Sequence, residues 1–401
     1  MSVVAGQARR RWLAVAVGVA VICSLPVVIS ALPVGAGRTV NAAQLRARIL
    51  AAANLPYQGY VESAGALGVP NLRALSDVTA MLDGTTRMRV WQAAPSTWRV
   101  DVLSDVGEHD TYQLPGRTYV WDSGSQLLSE VTGSPPVRLP RGADLLPPAL
   151  ALRLLRDGGG TSRMTSLPAQ RIAGRDAPGL RLVPTDPETT IGHVDIWADA
   201  ATGLPLKVEI TGRAAGRVVL TSRFLQVSFT RPAPQVLTPR HGAPGSGFTV
   251  TSPADISKAI GNVDDEQLPD TLAGRPRVPA PSGFQEIGIY GTGLSAFAVV
   301  ALRGGTGAGG LHGARTNGGS PLTFPTGTGA LIATPLITVA LVHPYASFDT
   351  FIVAGLVSPR LLSQAAAQLS TRRDSDLRML PPGPATFQPA QQVVVPGLSR
   401  P

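Results

Sequence analysis

Residues able to do chemistry are sparse in this chain, and their spacing does not assemble a reaction centre. Gly305-Thr306-Gly307-Ala308-Gly309-Gly310 has the letters of a dinucleotide fingerprint and follows a strand-like stretch. That fingerprint works only when a helix N-terminus follows to hold the pyrophosphate. Here the next residues, Leu311 to Gly319, read as part of a flexible hairpin loop from Gly304 to Gly319, so no nucleotide site is expected. The five histidines are His109, His193, His241, His312 and His343, and no two stand at the i, i+4 spacing of a helical metal site. His193 and Asp195 share a strand face, as two metal ligands could, but a third ligand is not visible and an exposed face explains them. Asp264-Asp265-Glu266 lacks the spaced carboxylates of a calcium loop and reads as a solvated turn. Gly-x-Ser-x-Gly is absent. The expectation is a non-enzymatic protein without metal or cofactor.

The compartment follows from the N-terminus. Arg9-Arg10-Arg11 precedes Trp12 to Leu32, a run of 21 residues without a charge, long enough to cross a bilayer core as a helix. Val34-Gly35-Ala36 equally suits cleavage of a secretory signal, and Pro26 favours that reading. Residues 1–36 are therefore expected to be a signal peptide or signal anchor. Either way the arginines stay inside, which places the rest of the chain in an extracytoplasmic location, exported or anchored to the cytoplasmic membrane by residues 12–32. The single cysteine, Cys23, lies in this segment, so the exported part has no disulfide and no cysteine nucleophile.

Composition narrows the class. Of 401 residues 44% are apolar and 15% charged, unlike a disordered polyelectrolyte. Gly 44 and Pro 36 make about a fifth of the chain, short of the low-complexity range of roughly 25–30%. The net charge of +9 suggests nucleic acid, but three of the charges belong to Arg9-Arg10-Arg11 and the other arginines are dispersed along the chain. No nucleic-acid partner is expected.

Periodicity supplies the elements. Asn41 can cap a helix to about Ala53 with Leu45 and Ile49 on one face. From Tyr57 the pattern changes to short strands: Met88 and Val90 alternate with Arg87 and Arg89, and Trp98, Val100 and Val102 alternate with Arg99 and Asp101. Asp144 to Leu155 reads as a helix with Pro147 and Pro148 in its first turn and Leu150 and Leu154 in its stripe. The clearest hairpin joins His193–Trp197 to Leu206–Ile210, with Gly203 supplying positive φ. The expected divisions are a β domain at 37–230, a linker at 231–267, a smaller α+β domain at 268–370 closing on a helix that starts at Ser358-Pro359, and a disordered tail at 371–401.

This order, and above all Val194-Asp195-Ile196-Trp197-Ala198-Asp199 followed by Thr202-Gly203-Leu204-Pro205-Leu206, resembles the lipoprotein-carrier fold shared by LolA and RseB (MucB). The added C-terminal domain is similar to the two-domain RseB type of sigma-E regulatory protein. The resemblance implies an α+β, mainly antiparallel fold: a curved, unclosed barrel wrapped around helices. It also implies an apolar groove for an acyl chain, a lipoprotein or an extended peptide. The residues that would line it are Met88, Val90, Trp98, Val100 and Val102, with Val194, Ile196, Leu206, Val208 and Ile210 opposite. These same side chains could equally be plain core. The implied role is envelope sensor, regulator or carrier, with a lipid or lipoprotein partner. The alternative is an interaction module that regulates a membrane partner, an anti-sigma factor or an ABC transporter, without a lipid.

Overall fold

The computed structural model describes residues 40–68, 76–105, 107–133, 140–160, 162–239, 247–251, 268–279 and 287–373. The expectations for the export segment, Cys23, Asp264-Asp265-Glu266 and residues 374–401 lie outside the described residues. Among the described residues no helix is long and apolar enough to cross a membrane.

Two antiparallel meanders build the first sheet. Strands β1 (Tyr57–Gly65), β2 (Thr85–Ala94), β3 (Thr97–Ser104), β4 (Gly107–Leu114), β5 (Arg117–Asp122) and β6 (Leu127–Val131) form one; β7 (Ser162–Ile172), β8 (Arg175–Pro184), β9 (Ile191–Ala198), β10 (Pro205–Gly212) and β11 (Val218–Ser228) form the other. Pairing of β1 with β11 joins them, and β12 (Gly247–Thr251) adds to β6 in parallel. The 12-stranded order β12-β6-β5-β4-β3-β2-β1-β11-β10-β9-β8-β7 ends on β12 and β7, which do not pair with each other, so the sheet is curved but unclosed. Part of the stretch expected as linker is thus sheet: residues 247–251 supply β12, and a 3-10 turn at Pro234–Leu237 packs near β3 with Leu237 buried.

The helices lie where the apolar alternation requires cover. Helix α1 (Ala42–Ala51) is capped by the Asn41 side chain, which accepts from Ala43 N at 2.8 Å, and it buries Leu45 and Ile49. A short α2 (Ser76–Leu82) follows β1. Helix α3 (Pro147–Gly158) opens on its two prolines, where no donor is needed, and buries Ala151, Leu154 and Leu155. One face of β2, β3, β8, β9 and β10 therefore meets α1 and α3 in a single core cluster. Alternation with period two on the strands and near 3.6 on the helices is what makes this closure possible.

The second sheet has eight strands in the order β13-β14-β15-β16-β20-β19-β18-β17. They are β13 (Thr271–Leu272), β14 (Arg275–Val278), β15 (Ile287–Tyr290), β16 (Phe297–Arg303), β17 (Ser320–Phe324), β18 (Gly327–Ala333), β19 (Thr338–Pro344) and β20 (Asp349–Gly355). Helix α4 (Gly304–Thr316) covers one side and α5 (Pro359–Leu369) buries Leu361, Leu362, Ala365, Ala366 and Leu369 on the other.

Helix α4 corrects the loop expected from Gly304 to Gly319. Glycine is a poor helix former, but packing overrides propensity here. Leu311 and Ala314 are buried against Ala330 and Leu341, and a Cβ at Gly307 would fall 2.6 Å from the Thr350 side chain, so the helix lies close on the sheet because it is glycine-rich. The glycine run sits inside the helix rather than in a turn before it. The strand–helix order of a dinucleotide site is present, but the phosphate-binding turn is not.

Candidate functional site

All ten residues expected to line a groove come together on the concave face of the first sheet. Met88, Val90, Val100, Val194, Ile196, Leu206, Val208 and Ile210 are buried in one cluster, and Trp98 and Val102 pack half-buried at its margin. What covers them is the protein's own chain. Helix α3 lies over β10, α1 over β7 and β8, and the 3-10 turn Gly142–Leu145 over β3. The turn is pinned from two sides: the Ser222 hydroxyl donates to the Leu145 carbonyl, and Arg141 N donates to the Asp144 carboxylate at 2.9 Å. Glycine is required at the point of contact. A Cβ at Gly142 would lie 2.6 Å from Val102 Cγ2 and 3.2 Å from Met88 Sδ. Gly142→Val is therefore expected to lift the turn from β2 and β3, cost about 1–3 kcal/mol as other overpacked sites do, and admit an apolar dye to the concave face. Unchanged urea unfolding without dye fluorescence would show that the turn does not plug that face.

The hairpin β9–β10 is built from its polar turn. Asp199 is buried and accepts from Thr202 N at 2.8 Å, Ala201 N at 3.2 Å, the Thr202 hydroxyl at 2.9 Å and the Arg175 guanidinium at 2.5 Å. Burial alone would raise its pKa, but Arg175 and Thr202 outweigh that and hold the carboxyl below the usual range. Gly203 follows at φ 78°, with the Arg48 carbonyl only 2.8 Å from where a Cβ would be. Arg48 in turn donates to the carbonyls of Ala200 and Ala201. The turn is thereby the seat on which the C-terminal end of α1 rests. A shallow cleft of about 280 Å³ opens beside it, with Arg171, Arg175 and Asp176 at its wall.

His193 and Asp195 do share a face, 3.8 Å apart, but Asp195 receives both arms of Arg181 at 2.7 Å each. The guanidinium takes the place a metal would need. Burial lowers the His193 pKa despite the neighbouring carboxylate.

A different charged group forms on the outer face, to which the alternation of β3 assigns Arg99 and Asp101. Antiparallel register sets Asp101 of β3 opposite Asp110 of β4. Arg99 donates to Asp101 at 2.6 Å and to Asp110 at 2.8 Å, with Glu108 at 3.7 Å. Its guanidinium carbon lies 5.1 Å from the centroid of the Trp91 ring and 4.8 Å from that of Tyr112. The turn at Pro234–Leu237 closes over it, with the Val236 carbonyl accepting from Arg99 at 3.4 Å. Ligand atoms of Asp101, Glu108 and Asp110 lie within 4.8 Å of one another, but the guanidinium already holds the cation's position. Burial raises both aspartates, Asp101 to about 8, the Arg99 contacts notwithstanding. Only the register reveals this group.

The two sheets meet through the β8–β9 connection. Thr189 bridges Val357; Thr190 N donates to the Leu356 carbonyl at 3.0 Å and Ser358 N to that of Glu188 at 2.7 Å. The Thr189 hydroxyl reaches the carbonyls of Leu294 and Leu356 at 2.9 Å. Asp186 accepts from Ser295 at 2.6 Å and Arg275 at 2.7 Å, while Glu188 takes Ser358 and Arg360 at the start of α5. Hydrogen bonds from Ser358 hold Glu188 low; for Asp186 burial opposes, and Ser295 and Arg275 prevail. Leu294 and Leu336 join the first core, so the junction is packed as well as paired.

Fold and site together define a class: an unclosed antiparallel sheet whose apolar concave face is covered by helices, with a second α+β unit docked on one of its hairpin connections. One segment of the chain is similar to the MucB/RseB family. Residues 155–241, from the end of α3 through β11 and the turn over Arg99, match the model of the MucB/RseB N-terminal domain. Among solved structures the chain is similar to MucB in complex with MucA(peri), at 18% identity, covering 81% of this chain and 97% of that one with a TM-score of 0.45. It is similar to the Pseudomonas aeruginosa MucA/MucB complex at 18% identity, 81% and 96% coverage and a TM-score of 0.46. A LolA superfamily protein from Nitrosomonas europaea is 11% identical, covers 50% of this chain and 98% of its own, and has a TM-score of 0.21. No curated protein sequence matches the chain.

Proposed function

We propose that this is an extracytoplasmic regulator that binds a membrane-anchored protein partner of the anti-sigma-factor type. The observation that carries the reading is the match of residues 155–241 to the MucB/RseB N-terminal domain, the stretch whose β8–β9 connection receives the second sheet. The chemistry is compatible with binding rather than turnover: the buried acids described above are each engaged by an arginine or by hydroxyl and amide donors. An acyl-chain ligand is the second reading, favoured by the apolar character of the concave face. It requires that α1, α3 or the Gly142 turn move aside, since these occupy the space a chain would fill.

The test is a binding measurement between the purified chain and the extracytoplasmic segment of the anti-sigma factor from the same organism, with a detergent-extracted lipid fraction as the second titrant. Saturable binding of the segment is the expected result. Binding of lipid alone would replace the regulator with a carrier, and binding of neither would overturn both readings.

A further inference from the structure

Asn317 is the one asparagine of five that precedes a glycine, Gly318, and both residues are exposed. At such a step the side-chain amide can close on the next backbone nitrogen, because glycine has no Cβ to obstruct the ring. The fold places the pair at the C-terminal end of α4, and the bonds at that end set its reactivity. Gly318 stands at φ 87°, in the left-handed conformation that ends helices, and Gly319 N donates to the Ala314 carbonyl at 2.9 Å, as in a Schellman motif. The second bond of that motif would run from Gly318 N to the Arg315 carbonyl. Among the described residues Gly318 N has no acceptor, so the attacking nitrogen is uncommitted. A Cβ at Gly318 would meet nothing within 4 Å, which leaves the position open to water.

The amide to be attacked is held loosely. Asn317 Nδ2 donates to the Gly313 carbonyl at 2.8 Å, but Asn317 N and the Thr316 hydroxyl, each at 3.1 Å, claim the same oxygen. A carbonyl has two lone pairs, so the three donors compete. Fraying of the last turn frees the side chain further.

We propose that Asn317 is a site of spontaneous deamidation, a modification that loosens the end of α4 from the second sheet. Gly318 N attacks Asn317 Cγ; the N–Cγ bond forms, the Cγ–Nδ2 bond breaks, and ammonia leaves with the amide proton. Water then opens the cyclic imide at either carbonyl, giving aspartate or isoaspartate. Aspartate sets a negative charge at the negative end of the helix and has no proton to give to Gly313. Isoaspartate also lengthens the backbone ahead of Gly319, whose bond to Ala314 then loses its register. Ala314 is buried with Ala330 and Leu341, so the loss reaches the packing of α4 on β18 and β19.

The experiment incubates the purified full chain, in mild detergent, in mildly alkaline heavy-oxygen water and maps the label by peptide mass spectrometry. Expected is label on the peptide that holds Asn317, divided between aspartate and isoaspartate, and none at Asn41, whose side chain caps α1. Gly318→Ala should slow the uptake several-fold. Asn317→Asp, one of the products, should speed amide exchange at Ala314 several-fold and leave the circular dichroism unchanged. A folded chain that takes no label at Asn317, whatever the urea-unfolded chain does, would overturn the proposal, since the helix end would then lock the side chain. Exchange at Ala314 unaltered by Asn317→Asp would overturn the loosening of α4. Neither readout involves a partner or a lipid, so failure of the regulator reading leaves them intact.

Discussion

Replacing Arg99 with leucine is expected to cost about 3–5 kcal/mol near pH 8, the range found when one partner of a buried ion pair is removed. The side chain balances three carboxylates, of which Asp101 and Asp110 are buried, and without it the sheet must either bury uncompensated charge or take up protons to neutralise it. The cost should shrink as pH falls towards 5, because protonation neutralises the same carboxyls. Urea unfolding at both pH values measures it, and an equal loss at each would show that only the stacking on Trp91 and Tyr112 matters. Asp101→Asn makes the complementary test. Its folded-state pKa is raised to about 8 from an unfolded value of about 4. The associated stability is therefore complete below about pH 4 and is lost as pH rises through about 8, at up to about 1.4 kcal/mol per pH unit. An amide can present its oxygen to Arg99 and its nitrogen to Asp110, so Asp101→Asn should flatten that decline. A variant as pH-sensitive as the parent would place the titration elsewhere. The cluster fastens the chain segment that crosses from β11 to β12, so Arg99→Leu should also speed amide exchange at Val236 and Leu237.

The second large effect is expected at Asp199. Asp199→Ala removes the acceptor of two backbone amides, one hydroxyl and the Arg175 guanidinium, a loss of about 2–4 kcal/mol by the cost of unsatisfied buried donors and a broken half-buried pair. The sign of the pH dependence is opposite to that of Asp101. The Asp199 pKa is lowered on folding, so its contribution is present above about pH 4 and is lost as pH falls through the lower folded value. The turn also seats α1 through Arg48, and α1 covers part of the concave face. Asp199→Ala should therefore raise the fluorescence of an apolar dye at neutral pH as well as lower the urea midpoint. Loss of stability without added dye binding would separate the hairpin from the cover of that face. Gly203→Ala, strained at φ 78° and crowded by the Arg48 carbonyl, should act in the same direction.

Much of this architecture is legible in local pattern. Alternation marks the arms of the β9–β10 hairpin, Asn41 and Ser358 mark two helix starts with observed side-chain caps, and Pro147-Pro148 marks a third. The apolar alternation also sets those strand residues together on one face, because alternate side chains of a strand point the same way. Helix α4 escapes that logic: glycines carry no pattern, and the close approach to Thr350 and the cover from Ala330 and Leu341 come from strands later in the chain.

The charged groups divide along the same line. Asp199 could be read from Asp-x-x-Thr-Gly alone, since a turn of a few residues satisfies its own carboxylate. The Arg99 group could not. Its carboxylates sit on two strands whose register is a tertiary fact, and its burial depends on a segment more than a hundred residues further on. Whether the concave face is an open groove or a filled core was likewise undecidable from residue types, which are identical in both cases. Tertiary packing supplies what the residue types do not, by seating α1, α3 and the Gly142 turn against that face.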